Sequence, residues 1–409
     1  MKSGGRSFNK RRAELLKAYN AIHWLTFTKW FYEDNPIEDN VWRDKRLWVH
    51  FAFAFICQSN IIIFKVFHLV SEENFFATLT SLTSGLVVLL VVVRTYVLYQ
   101  IPTFKQLYFK PEIFNCNKHR PTSSLDVLIQ TVKHSRKVGI WCMMLFLTFD
   151  VSWLVLPIVP PIIEIIKGTN QTYDELIPQY PSINPVRLTW LTKEAKYAFD
   201  LFMGAVNTIP WVGFVVVYYA VVQLFLAQHK IMMLSMTRGP QVPGDAKEPL
   251  ELRLWIQDHA LIRKLVYQLR STVSPALAGT ICANVFTVGL NMLALISSPI
   301  GPEAPLYTRY LFYFSFGTYS AISIFDIFIH CWLSSEISNS GKELNYAIYA
   351  GDWNSDLKRP PQDNVIPLMV CNKEIRFTAL GLIPVTMTTF TEVIRISYSY
   401  FTILKETGH

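Results

Sequence analysis

Polar and apolar positions in this chain separate into long blocks. Seven apolar blocks are long enough to cross a bilayer as helices, which takes roughly 20 residues each. They run over about 47–70, 75–99, 138–163, 198–226, 271–298, 308–333 and 376–402. The first is the weakest: Lys65 and His68 lie inside it, near one end, where they can snorkel toward the interface. The fourth is the clearest, with no Asp, Glu, Lys or Arg from Leu201 to His229. The last differs in kind. Between Pro384 and Lys405 it is dense in Thr, Ser and Tyr, and a hydroxyl in hydrocarbon needs a partner. This helix is therefore predicted to pack on protein or to border water rather than to face lipid.

Composition agrees with a membrane solvent. Of 409 residues, 51% are hydrophobic and only 17% charged, whereas soluble domains carry about 25% charged residues. The net charge of +8 is placed in a way that fits topology control better than nucleic-acid binding. Residues 1–46, 100–137, 227–270 and 334–376 hold 10, 7, 7 and 5 Lys and Arg, against 0, 4, 0 and 1 in the alternate connections 71–74, 164–197, 299–307 and 403–409. The positive-inside rule then predicts a cytosolic amino terminus and, after an odd number of spans, an extracellular carboxyl terminus. The N-x-[ST] sequon Asn170-Gln-Thr172 falls in the longest predicted outer loop, which makes Asn170 a candidate glycosylation site. This orientation argues against a G-protein-coupled receptor, and neither Asp-Arg-Tyr nor Asn-Pro-x-x-Tyr stands where that class carries it. No cleavable leader is expected, because the polar, basic stretch Met1 to Arg46 precedes the first apolar block.

The predicted fold class is an all-α membrane protein with a cytosolic helical anchor bundle. Its divisions are a cytosolic segment 1–46, six spans over 47–333, an anchor segment 334–375, and a seventh helix with a short tail, 376–409. In 249–270, Leu254, Asp258, Leu261 and Leu265 follow helical spacing, and Leu252, Trp255, Ile262, Val266 and Leu269 form a broader apolar face. That segment is predicted to extend span five into the cytosol. A further helical stretch is predicted from Ile337 to Ala350, before the loop Gly351 to Pro361. The six cysteines show no C-x-x-C spacing and are predicted to be free thiols. No phosphate loop, His-Glu metal motif or nucleophile elbow is present, so neither an enzyme nor a cofactor is expected.

Motifs near the carboxyl end carry a resemblance. Ala347-Ile-Tyr349 followed by Trp353, the stretch Thr386 to Phe390, Ser397-Tyr-Ser-Tyr-Phe401 and Leu404-Lys405 near the terminus together resemble the insect odorant receptor family. Gustatory receptors of the wider superfamily carry Thr-Tyr, then Gln-Phe, in the last helix; here the nearest register reads Thr389-Phe390 and Ile396-Ser397. The shared co-receptor, Orco, has a much longer second cytosolic loop than Ala227 to Arg270 allows. The chain thus resembles a ligand-tuned subunit. The resemblance implies a heterotetrameric, odorant-gated, non-selective cation channel formed with Orco in the plasma membrane. It further implies a small volatile ligand, contact with membrane lipid, and no nucleic-acid partner.

In the terminal helix, Val393, Ser397, Tyr400 and Leu404 share one face by 4-3-4 spacing. The resemblance makes this face pore-lining, with Tyr400 and Leu404 near the outer constriction; ordinary packing on spans five and six is the competing reading. Glu392 and Arg395 either neutralise each other or leave Glu392 to attract cations. The volatile is expected in the outer half of the bundle, in a mostly apolar and aromatic pocket. Candidates are Thr78, Leu79 and Leu82 on span two, Phe149, Ser152 and Trp153 on span three, and Met203, Val206 and Asn207 on span four. Span five adds Phe286 and Leu290, and span six Phe314, Thr318 and Tyr319. Each aromatic among them has core packing or lipid contact as its alternative. Asp150 is expected to be buried with a partner or to favour an amine ligand, Asp200 to be hydrated, and Asp326 to bond His330 one turn on. A membrane transporter of a small organic solute is the alternative function, although no correspondence between the halves supports it.

Overall fold

Among the described residues the apolar blocks are largely helical, and several continue far beyond the membrane's thickness. The computed structural model describes residues 13–15, 17, 86–87, 89–98, 113–119, 121–155, 193–236, 252–296, 306–350 and 375–407. In chain order the elements are α1 (Leu89–Leu98), α2 (Asn115–His119), α3 (Pro121–Val155), α4 (Lys193–Met236), α5 (Leu252–Ile296), α6 (Leu306–Ala350), β1 (Thr378–Ala379), β2 (Ile383–Pro384) and α7 (Met387–Thr407). Helices α4, α5 and α6 have 44, 45 and 45 residues. At 1.5 Å per residue each is about 66–68 Å long, over twice the roughly 30 Å hydrocarbon core. Each therefore projects well outside the bilayer.

Three segments of the described residues are long and apolar enough to span: Pro210–Ser235, Arg253–Leu293 and Phe312–Leu344. They match the predicted fourth, fifth and sixth spans. The first predicted span and the loop carrying Asn170 lie outside the described residues.

Of two expectations about the second half, one holds and one changes. The stretch Ile337 to Ala350 is helical, as the continuation of α6, which passes through residue 334 unbroken. Leu333-Ser-Ser-Glu-Ile337 holds neither Gly nor Pro to end it. The predicted block 376–402 is not one helix, and among the described residues the secondary structure is helical except for a small hairpin. β1 and β2 pair antiparallel, with Thr378 opposite Pro384 and Ala379 opposite Ile383. Leu380 and Gly381 turn the chain with φ of 50° and 75°, and Leu382 N–H donates to the Ala379 carbonyl at 3.0 Å. They are the two central residues of the Ala379–Leu382 turn, within a three-residue loop, and left-handed φ at both matches the right-handed twist of a hairpin. Glycine adopts that conformation freely, whereas Leu380 does so at a cost.

Helix α7 then starts where its first turn is capped. Thr386 Oγ1 accepts from Thr389 N–H at 3.3 Å, and the Ser335 hydroxyl accepts from Met387 N–H at 3.1 Å. Two of the donors that a helix start leaves open are thereby met.

Helix α4 is the hub, packed between α3 and α6; α5 packs on α6, and α7 lies across α5 and α6. Every residue from Pro210 to Val222 is buried. Helices α3 and α4 approach closely at Gly139, where an added Cβ would stand 2.9 Å from a Val216 methyl. On the outside of α3, Trp141, Met144 and Leu145 are exposed, an apolar surface suited to lipid.

The segment predicted to extend span five behaves as its pattern requires. Trp255, Ile262, Val266 and Leu269 are all buried, and Trp255 Nε1–H donates to the Met232 carbonyl at 3.3 Å, tying α5 to α4. Asp258 is buried because it ends α2: its carboxylate accepts from Asn115 N–H at 2.8 Å and Cys116 N–H at 2.7 Å. Burial, reinforced by Asp258, pushes the Cys116 thiol up, so it stays protonated and unreactive. Cys116, Cys142, Cys282 and Cys331 are free thiols.

Candidate functional site

Polar side chains gather where α1, α5 and α6 meet beside α4. Arg94 and Asp326 are fully buried and form an ion pair, Nη2 to Oδ2, at 2.5 Å. The same guanidinium nitrogen donates to Thr280 Oγ1 at 2.7 Å, and Asn284 Nδ2 donates to Asp326 Oδ2 at 2.7 Å. Trp211 Nε1–H points at that oxygen from 3.4 Å. Around the pair is an aromatic wall. The guanidinium carbon lies 5.3 Å from the Phe214 ring centre and 6.0 Å from that of Trp211, near enough for cation–π attraction. His330 stacks on Phe214 and on Tyr218 at 5.6 and 5.5 Å. The predicted Asp326–His330 contact exists, but its short bond runs from the ring Nδ1 to the Asp326 backbone carbonyl, at 2.6 Å.

Arg94 is the residue the sequence reading missed. Nothing local marks it, since its partner lies 232 positions along the chain. An Arg inside an apolar block is nevertheless a signal in itself, because such a charge requires a counter-charge. Below this centre, polar contacts continue between α4 and α6. Tyr218 Oη lies 3.1 Å from Ser334 Oγ, and His229 Nδ1 lies 2.8 Å from Ser340 Oγ.

Toward the far ends of α5 and α6 the character becomes apolar. Phe312 and Phe316 form a buried pair, ring centres 4.8 Å apart, with Leu290, Leu293 and Leu295 packed on it. This cluster is separate from the main core. It includes Leu290 from the predicted pocket set, but not its neighbours. Phe286 and Phe314 are more than half exposed and point away from the packed interior. Thr318 is partly buried, and its hydroxyl donates to the Phe314 carbonyl at 2.5 Å. Tyr319 is partly buried. Phe312 and Phe316 were not predicted. Extending the α6 stripe Ser320, Ser323, Asp326 and His330 by one and two turns reaches them, so the buried polar side of the helix was the usable signal.

Thr78, Leu79 and Leu82 lie outside the described residues. Phe149, Ser152 and Trp153 belong to α3, and Met203, Val206 and Asn207 to α4, but only their backbone is described.

Helix α7 has two faces. Val393 and Ser397 are buried at 8% and 9% exposure, on the side that packs against α5 and α6. They face the protomer's own core. The outward side carries Glu392, Arg395, Ile396, Tyr398, Ser399 and Ile403, all exposed. Among the described residues Glu392 and Arg395 form no ion pair with each other. The side chains of Tyr400 and Leu404 lie outside the description.

The hydroxyls of α7 also behave differently from the expectation. Ser399 Oγ donates to the Arg395 carbonyl at 3.0 Å, Thr402 Oγ1 to Ser399 at 2.8 Å, and Thr391 Oγ1 to Met387 at 3.0 Å. Ser and Thr in a helix can satisfy themselves on the preceding turn. Their abundance alone therefore does not demand water or a partner; the exposed Glu392 and Arg395 do.

Comparison with known proteins follows the same lines. The sequence pattern described as 7tm Odorant receptor matches residues 78–398. Odorant receptor 33b of Drosophila melanogaster is 25% identical over 148 residues, 36% of this chain and 37% of that protein. Odorant receptor 22a of the same species is 26% identical over 163 residues, 38% of this chain and 37% of that one. These matches span little more than a third of each relative. The structure of the insect olfactory receptor OR5 from Machilis hrabei in complex with eugenol superposes with a TM-score of 0.67 over 98% of both chains, at 14% identity. At that identity the likeness shows a common fold.

Proposed function

The chain belongs to the 7tm odorant receptor family, and from that premise we propose that it is the odorant-tuned subunit of a ligand-gated, non-selective cation channel. The observation that carries the reading is the family match across residues 78–398. A fold shared over 98% of its length with an insect olfactory receptor supports it. The carrier alternative has no comparable support.

In this reading the chain crosses the plasma membrane seven times, from a cytosolic amino terminus to an outer carboxyl terminus. It assembles as a heterotetramer with Orco, and Asn170 carries a glycan. The volatile lies in the outer half of the bundle. Its walls are Thr78, Leu79 and Leu82; Phe149, Ser152 and Trp153; Met203, Val206 and Asn207; and Leu290 with the adjoining Phe312 and Phe316 cluster on α5 and α6. Helix α7 borders the conducting path with its outward face. Glu392, Ile396, Ser399 and Ile403 follow 4-3-4 spacing on that face, which replaces the face centred on Val393 and Ser397. Glu392 supplies the negative charge that favours cations, and Ile396 and Ile403 supply apolar constrictions of the kind that gate by dewetting.

Co-expression with Orco, followed by recording against a panel of volatiles that includes eugenol, tests this directly. The expected result is an odorant-evoked cation current that neither subunit gives alone. Silence across a broad panel, with both subunits confirmed at the cell surface, would contradict it.

A further inference from the structure

We propose that the seam between α5 and α6 at Arg94 is an internal water site, a cluster of ordered water molecules bound around the Arg94–Asp326 pair. On α5, Thr280, Asn284, Thr287 and Asn291 follow 4-3-4 spacing and are buried; on α6, Ser320, Ser323, Asp326, His330 and Ser334 recur at steps of three and four residues and are also buried. The Asn284–Asp326 bond places the two stripes face to face. From Thr280 to Asn291 the α5 stripe covers about 16 Å at 1.5 Å per residue, more than half of the roughly 30 Å hydrocarbon core.

Among the described residues, eight buried polar atoms of this seam have no hydrogen-bond partner. They are Arg94 Nε and Nη1, Asn284 Oδ1, Thr287 Oγ1, Asn291 Nδ2, Ser323 Oγ, Asp326 Oδ1 and His330 Nε2. Buried polar groups left unmet are costly, more so where no bulk water reaches. Their chemistry identifies the ligand. His330 Nδ1 lies 2.6 Å from a backbone carbonyl, so it carries the hydrogen and Nε2 presents a lone pair. The seam thus offers three acceptors (Asn284 Oδ1, Asp326 Oδ1, His330 Nε2) and three donors (Arg94 Nε and Nη1, Asn291 Nδ2), with two hydroxyls able to do either. A metal ion would be repelled by Arg94 and an anion by Asp326. A small neutral molecule that both donates and accepts suits all eight, and water with two to four partners is that molecule. Water here also lets three helices shift without stranding a buried charge, since a protein bond lost is replaced by one to solvent.

The site does not depend on the channel reading. Two measurements on the full chain in lipid nanodiscs test it. Cryo-electron microscopy fine enough to show waters should reveal peaks within hydrogen-bonding distance of Arg94 Nη1, Asn284 Oδ1 and Asp326 Oδ1. Radiolytic hydroxyl-radical labelling, which marks side chains beside bound water, should modify His330 and Trp211 several-fold faster than Phe225 after correction for intrinsic reactivity. All three are buried. Labelling of His330 and Trp211 no faster than Phe225, or a dry seam or coordinated ion in the density, would overturn the proposal.

Discussion

Helices α4 and α7 are both long enough to cross a bilayer, and the protein uses them in opposite ways. In α4 the membrane-length segment Pro210–Ser235 is mostly buried within the chain itself. A helix apolar on every side is stable only where every side is covered, and α3 and α6 cover this one. Helix α7 covers one side only. Val393 and Ser397 face inward, while Tyr398 and Ile403 remain 67% and 56% exposed. The contrast separates scaffold from working surface: α4 holds the protomer together, and α7 offers a face to something outside it.

If that division is right, damage near α4 should be felt as lost protein, and damage on the outside of α7 as altered current. The largest effect is expected from Asp326→Ala, which strands Arg94 in the interior. Removing one partner of a buried ion pair costs about 3–5 kcal/mol, enough to abolish surface expression measured by biotinylation. Replacing both partners, as in Arg94→Met with Asp326→Leu, should recover much of it. Next comes Gly139→Val, which drives a side chain into Val216 and should cost about 1–3 kcal/mol as overpacking, read as a lower melting temperature in detergent. Thr386→Ala removes the cap of α7 and should cost about 1 kcal/mol, with expression nearly intact. Were Thr386→Ala as damaging as Asp326→Ala, α7 would belong to the scaffold and the contrast would collapse.

Much of the scaffold was legible in the sequence. The apolar face of Trp255, Ile262, Val266 and Leu269 and the described stretch Pro210 to Val222 of the uncharged fourth span required burial, and the structure buries them. Three things were not legible, for separable reasons. The Arg94–Asp326 pair joins residues far apart in the chain, and spacing rules reach only neighbouring turns. The hairpin before α7 rests on two left-handed residues, one of them Leu380, a residue type that carries no turn signal. Helix rotation was the third. Phe314 and Phe316 are both aromatic and two positions apart, yet one faces out and the other in, because the buried Ser320 and Asp326 stripe fixes which way α6 turns. On α7 the 4-3-4 spacing of Val393 and Ser397 correctly identified a face. It did not say whether the protomer itself would occupy it.

Cysteine accessibility along α7 in the assembled receptor tests the division most directly. Single cysteines at Val393, Ile396, Ser397, Ser399 and Ile403 would be treated with a charged, water-soluble thiol reagent during odorant-evoked current. Modification at Ile396, Ser399 and Ile403 that changes the current, with Val393 and Ser397 unreactive, is the predicted result. Block through Val393 and Ser397, with the other three silent, would contradict it.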